Sequence, residues 1–238
     1  WRYRELLGFL IWRDVVIKYK QAFLGIAWAI LQPLCTMVVF VLLFGRVAKL
    51  PTDGIPHPIF YYSGLLLWTF FATALTSSGN SLVSNANLIS KVYFPRMIVP
   101  GSAVVVSLVD FLISFAILVA LMVIYGFSPT WKMLTLPAFV LLAFVPAIGL
   151  GLLITALNVR YRDFRFVVPF VVQFGLYVSP VGFSSDVVRE KFGETVFLIY
   201  SLNPMVGVID GFRWAILGNA EIYWPGFSIS IAIGIIAL

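Results

Sequence analysis

The sequence predicts an all-α polytopic membrane protein with six transmembrane helices, and three observations carry that reading. Of its 238 residues, 61% are hydrophobic and only 11% are charged, against about 25% charged in soluble domains. So few charges cannot cover a water-facing surface of this size, so the surplus apolar surface must meet lipid. Charge-free windows recur along the chain, each long enough for the ~20 apolar residues that a helix needs to cross the hydrocarbon core. Basic residues cluster in alternate segments between those windows. One compact membrane domain, residues 1–238, is the natural unit at this length.

The windows place the spans in order. No charge lies between Lys20 and Arg46, giving a first span over residues 24–44. The stretch from residue 54 to 90 holds no charge apart from the titratable His57 and gives a second over 59–79. A third, over 99–125, carries one carboxylate, Asp110. A fourth, over 133–157, lies between Lys132 and Arg160, and a fifth, over 166–185, between Arg165 and Asp186. A sixth, over 223–238, is still apolar at Leu238, so a short further tail is expected.

Two segments do not read as spans. Residues 1–20 set Tyr3, Leu6, Leu10 and Ile17 on one helical stripe bordered by Arg13 and Asp14, with Trp12 and Val15 opposite. That pattern suits a helix lying at a membrane interface. Residues 186–217 run from the charged stretch Asp186–Glu194 through an apolar run to Asn203-Pro204 and a second semi-apolar helix. A re-entrant or interfacial helix pair fits them, since irregular backbone at membrane depth needs protein or a water cavity beside it.

Ten of the 16 basic residues fall in the N-terminal segment (Arg2, Arg4, Arg13, Lys18, Lys20), the loop after span two (Lys91, Arg96) and the loop after span four (Arg160, Arg162, Arg165). By the positive-inside rule these segments face the cytoplasm, and an even number of spans puts both termini there. The net charge of +6 is therefore read as topology and membrane lipid contact, with no nucleic acid partner. Trp131, Trp214, Tyr223 and Trp224 fall where an outer aromatic belt sits.

Enzyme chemistry finds little support. The single histidine, His57, and the single cysteine, Cys35, make no metal site and no Ser-His-Asp set. None of the six lysines follows a glycine, so the chain lacks the phosphate-binding G-x-x-x-x-G-K-[ST] loop. Asp110, alone at depth, is either a structural hydrogen-bond partner of a neighbouring helix or a functional group. Phe166, Phe170, Phe174 and Tyr177 share one face of span five beside Gln173, while Trp28, Gln32 and Cys35 share a stripe of span one. Such rings with a few amides suit the C–H faces and hydroxyls of a sugar polymer, and equally suit lipid or packing. Arg160, Arg162 and Arg165, with Lys91 and Arg96, suit a phosphate near the inner surface, and equally serve topology alone.

Several segments resemble the ABC-2 type permeases that export polysaccharide. They are Arg13-Asp14-Val15-Val16-Ile17-Lys18-Tyr19-Lys20-Gln21 running into Leu24-Gly25-Ile26-Ala27-Trp28-Ala29-Ile30-Leu31-Gln32-Pro33-Leu34; Asn87-Leu88-Ile89-Ser90-Lys91-Val92-Tyr93-Phe94-Pro95-Arg96; Leu157-Asn158-Val159-Arg160-Tyr161-Arg162-Asp163; Ser179-Pro180-Val181; and Asn203-Pro204-Met205. The likeness is greatest to O-antigen permeases, with teichoic acid and capsule permeases similar. It implies a homodimer in the bacterial inner (plasma) membrane, carrying an undecaprenyl-type lipid-linked polysaccharide. It implies no catalytic residue and no cofactor in this chain, with ATP and magnesium bound by two separate nucleotide-binding ATPase subunits. It implies a coupling loop at residues 80–96 that seats in the ATPase through Asn87, Leu88, Ile89, Lys91, Tyr93, Phe94 and Arg96, and an interfacial helix with Arg13, Asp14, Lys18 and Lys20 beside it. It also implies that the pair at 186–217 gates the exit. A channel or ion-coupled carrier acting alone predicts more intramembrane acids, and a membrane-embedded glycan or lipid enzyme predicts a cluster of acids or histidines at one interface.

Overall fold

A computed structural model describes residues 3–20, 26–52, 54–127, 130–161, 163–218 and 222–238; the side chains of Ile26, Trp28 and Ala29 lie outside that description. The described residues form helices and connecting turns, with no strand among them. They are α1 (Arg4–Lys20), α2 (Ile26–Phe40), α3 (His57–Ser84), α4 (Ala86–Lys91), α5 (Ile98–Ile124), α6 (Leu136–Arg160), α7 (Phe164–Val178), α8 (Asp186–Tyr200), α9 (Pro204–Leu217) and α10 (Trp224–Ile236). A π-helical stretch, Val41–Val47, continues α2, and a 3-10 turn, Trp131–Thr135, leads into α6.

Four stretches are long and apolar enough to cross a membrane: Ile30–Val47, His57–Ser84, Ile98–Ile124 and Trp131–Arg160. The shorter α7 and α10, with 15 and 13 residues, extend only about 22 and 20 Å at 1.5 Å per residue.

Helix α3 is the hub, packed along α5 and α6 and meeting α9 and α7. Its close approach to α6 depends on small and polar residues, the usual glue between helices in lipid. Thr155 donates to the Ser78 carbonyl at 2.7 Å and the Asn158 amide donates to the Gly79 carbonyl at 2.8 Å. A Cβ on Gly151 would sit 2.9 Å from Ser78 Oγ, so any larger residue there pries the pair apart.

The fifth span differs from expectation. The reading of residues 166–185 as one apolar stretch is corrected by a helix that stops at Val178. Proline disfavours helical backbone in the residue before it, and Ser179 is accordingly extended (φ −81°, ψ 156°). The chain then makes a turn in which Ser179, Pro180, Val181 and Gly182 are all buried, before α8 begins at Asp186.

Helices α8 and α9 are bent by 116° relative to each other. The bend follows from Asn203-Pro204. The Met205 N–H donates to the Asn203 side chain at 3.0 Å, capping α9, and Pro204 fills a first-turn position where its missing N–H costs nothing. Gly218, at φ +71°, ends α9 in the left-handed conformation that glycine adopts freely. Helix α8 is itself broken at Gly193, whose φ of +85° is not helical.

Candidate functional site

The end of the molecule that carries α4 and the α6–α7 junction holds most of the residues of interest. Helix α4 follows α3 after the single residue Asn85. Its short length leaves two faces to share out among the seven loop residues. Leu88 and Ile89 turn toward Leu10 of α1 and Val99 of α5, and Phe94, only 7% exposed, completes that cluster with Leu6, Leu82 and Ile98 around it. Asn87, Lys91 and Arg96 are exposed, and Tyr93 is 98% exposed. Apolar residues of the loop are thus divided: Phe94 is used within the chain, and Tyr93 is left for something else.

Helix α1 docks along α5 over a considerable length. Leu10 packs near the start of α5, while Lys18 and Tyr19 reach Asp110, about 16 Å further along that helix. Lys18 Nζ lies 2.5 Å from one Asp110 oxygen, and the Tyr19 hydroxyl donates to the other. Burial, then the bond to Asp110 and its negative charge, push the Tyr19 pKa above its ordinary value. The partners of Asp110 are therefore on α1, and they are a cation and a phenol. Arg13 pairs with Asp14 at 2.7 Å and donates to Asn85 at 2.9 Å, tying α1 to the α3–α4 junction. Lys20 is exposed. Between α1, α3 and α5 lies a cleft of about 710 Å³ lined by polar residues, including Arg13, Lys18, Ser77, Asn80, Ser84 and Ser107, together with Ile17, Val99, Ala103 and Val106.

The aromatic face of α7 points away from the body of the chain. Phe166, Phe170, Phe174 and Tyr177 are all exposed, as is Gln173, and the Phe170 and Phe174 rings stack 6.1 Å apart. The opposite side of α7 is seated close: a Cβ on Gly175 would fall 2.6 Å from the Trp68 ring of α3. Gln32 on α2 is exposed too. Arg160 and Arg165 are exposed at the α6–α7 junction, Arg160 over the Tyr161 ring at 5.2 Å. Trp28 and Arg162 lie outside the described side chains.

Residues 5–217, α1 through α9, match the family model described as ABC-2 type transporter. The chain belongs to that family. An O-antigen export system permease protein, RfbA, of Myxococcus xanthus is 31% identical over 214 residues, 90% of this chain and 80% of that protein. A protein of the same name from Klebsiella pneumoniae is 27% identical over 233 residues, 98% of this chain and 87% of its own length. The polysialic acid transport protein KpsM of Escherichia coli is 22% identical over 213 residues, 87% of this chain and 80% of that protein.

In this ABC-2 transporter one residue of consequence escaped the sequence reading. Arg213 of α9 is 3% exposed. Its guanidinium donates to the carbonyls of Pro180 (2.6 Å), Phe183 (3.2 Å) and Val181 (2.9 Å) in the turn after α7, and of Phe60 in α3 (3.3 Å). It also lies 3.8 Å over the Phe60 ring. The available signal was an arginine within the apolar run Gly211–Leu217, where a membrane protein tolerates a cation only if it is well partnered. Among the described residues no three His, Cys, Asp or Glu side chains gather as metal ligands.

Proposed function

We propose that this chain is the transmembrane permease subunit of an ATP-driven exporter that moves a lipid-linked polysaccharide across the bacterial inner membrane. The observation that carries the reading is relatedness, along most of both chains, to two O-antigen export permeases within a family that matches from α1 to α9. In this reading α7 and α10 complete six spans, and both termini and the α4 end face the cytoplasm, as the ten clustered basic residues favour.

Two copies pair around a central path, with two separate ATPase subunits below that bind ATP and magnesium. Asn87, Lys91, Tyr93 and Arg96 form the seat for the ATPase; Tyr93 supports this because a fully exposed aromatic beside cations is what an interface core takes up. Leu88, Ile89 and Phe94 hold that seat on α1, so motion of the ATPase reaches α5 through the Lys18–Asp110 contact. The ring ladder of α7, exposed in a single chain, faces the path or the second copy, and Trp28 and Gln32 are further candidates for contact with the glycan. Arg160, Arg162 and Arg165 attract the pyrophosphate of an undecaprenyl-type carrier.

The likeness to KpsM favours a second reading, in which the cargo is a capsular polymer. One experiment tests both. The chain is co-purified with its ATPase, reconstituted in liposomes, and assayed for ATP hydrolysis with undecaprenyl-pyrophosphate-linked O-antigen or with lipid-linked capsular polymer. Stimulation by one and not the other selects the cargo. ATP hydrolysis by the chain without a partner, or no response to either glycan in the complex, refutes the proposal.

A further inference from the structure

Two short motifs far apart in the sequence, Ser179-Pro180-Val181 and Asn203-Pro204-Met205, meet in the fold. The Asn203 side-chain amide donates to Ser179 Oγ at 2.9 Å. Ten residues beyond Asn203, Arg213 reaches back to the same turn and takes the carbonyls of Pro180, Val181 and Phe183. A guanidinium is planar and forked, and it can serve acceptors on two sides at once. Arg213 does so here: one terminal nitrogen holds Pro180 and Phe183, and the other holds Val181 and the Phe60 carbonyl of α3. Three helices therefore converge on one cation, which sits buried over the Phe60 ring.

Three of the four carbonyls it holds, those of Pro180, Val181 and Phe183, are exposed by the break after α7. Proline ended that helix, leaving backbone acceptors with no helical donor in a buried place where an unpaired acceptor is costly. Arg213 supplies those donors from α9. Near the turn, Gly64 of α3 has no Cβ because one would fall 2.7 Å from Arg213 Nη2. The neighbouring α8 contrasts with this: it is broken at Gly193, and the residues from Glu190 to Val196, on both sides of the break, are exposed.

We propose that Arg213 is the positioning residue of the exit gate, joining the end of α7, the start of α3 and α9 into one rigid frame. Movement at this end of the molecule then belongs to α8 around its break at Gly193. The inference rests on the export reading only in naming this region a gate; the frame itself does not depend on it.

The test uses the whole permease, co-purified with its ATPase and reconstituted in liposomes. Arg213→Lys keeps the charge but presents a single ammonium, which cannot fork to the turn and to Phe60 together. Ser184→Cys, in a Cys35→Ser background, reports on the turn through its rate of labelling by a membrane-impermeant maleimide. Entrapped raffinose reports leak.

In Arg213→Lys the labelling rate is expected to rise by about tenfold, the equivalent of ~1.4 kcal/mol in an opening equilibrium. Raffinose leak rises with it, while co-purification and basal ATP hydrolysis stay unchanged. Equal labelling and equal leak in the two backgrounds overturn the proposal. A residue that served folding alone would lower yield without making assembled complexes leak.

Should Arg213→Lys fail to assemble, Ser179→Ala removes the tie to Asn203 and leaves the cation in place. A smaller rise of both readouts in the same direction supports the frame, and no rise overturns it. Labelling and leak need no export substrate, so they can fail while glycan-stimulated hydrolysis succeeds, and the reverse.

Discussion

Helix α9 buries 11 of its 14 residues, while α4, at the opposite end, buries none of its six. At the α9 end the broken backbone is closed from within the chain, by Arg213 on three carbonyls of the turn after α7 and by the Asn203 cap. At the α4 end the ties are partly exposed side-chain pairs, Arg13–Asp14, Arg13–Asn85 and Lys18–Asp110, around an open cleft. Exposed apolar surface rimmed by polar groups marks an interaction site. The α9 helix is thus satisfied within the single chain, and the α4 end is the one where the proposed function places a partner.

The contrast can be broken most severely at Arg213. Arg213→Met leaves buried carbonyls without donors, at about 1–3 kcal/mol for each acceptor orphaned. Thermal unfolding of the detergent-purified protein is expected at a clearly lower temperature, and an unchanged midpoint would mean that water or another donor replaces the guanidinium. Next comes Phe94→Ala, which removes a buried ring worth about 2 kcal/mol from the small cluster on Leu10 and Val99. It is expected to release α1, read as faster proteolysis near residues 3–20, without lowering the global midpoint as far as Arg213→Met does.

Asp110→Asn sharpens the same end with a smaller effect, about 1 kcal/mol or less, because the ion pair with Lys18 is partly exposed and screened. The pH dependence has a definite sign. Tyr19 has a raised pKa in the folded chain, so its share in docking α1 is fully present below the ordinary tyrosine value near 10 and is lost as pH rises above that value toward the folded one. Protection of α1 from protease is expected to be flat from pH 7 to about 9.5 and to fall beyond. The smallest effect on stability belongs to Tyr93→Asp, within about 0.5 kcal/mol for an exposed side chain. That variant is nevertheless expected to lose the ATPase in co-purification; retention of the ATPase would remove Tyr93 from the seat.

How much of this was legible beforehand follows from which forces act locally. Long charge-free windows mark helices because crossing lipid demands an uninterrupted apolar stretch, and α3, α5 and α6 lie over the three windows that contain residues 59–79, 99–125 and 133–157. Hydropathy cannot see a proline-terminated helix inside an apolar stretch, so residues 179–185 read as span when they form a buried turn. The all-α membrane class and the transporter family were readable from composition and spread motifs. The site was readable only as a set of residue types. Phe94 and Tyr93 are adjacent and both aromatic, and nothing local tells which one α1 will cover. Arg213 could not be picked out beforehand because its acceptors lie about 30 and 150 residues away in sequence. The partners of Asp110, at the far end of α1, are hidden for the same reason.

The length of α7 has an effect on its surroundings. Its 15 residues extend about 22 Å, and a typical hydrocarbon core is ~30 Å thick. Where such a short helix borders lipid, the mismatch is met by local thinning of the bilayer. On the proposed export reading, the leaflets would draw together beside the stacked rings of Phe170 and Phe174, and a polymer crossing there would meet a narrower oily layer than elsewhere in the membrane.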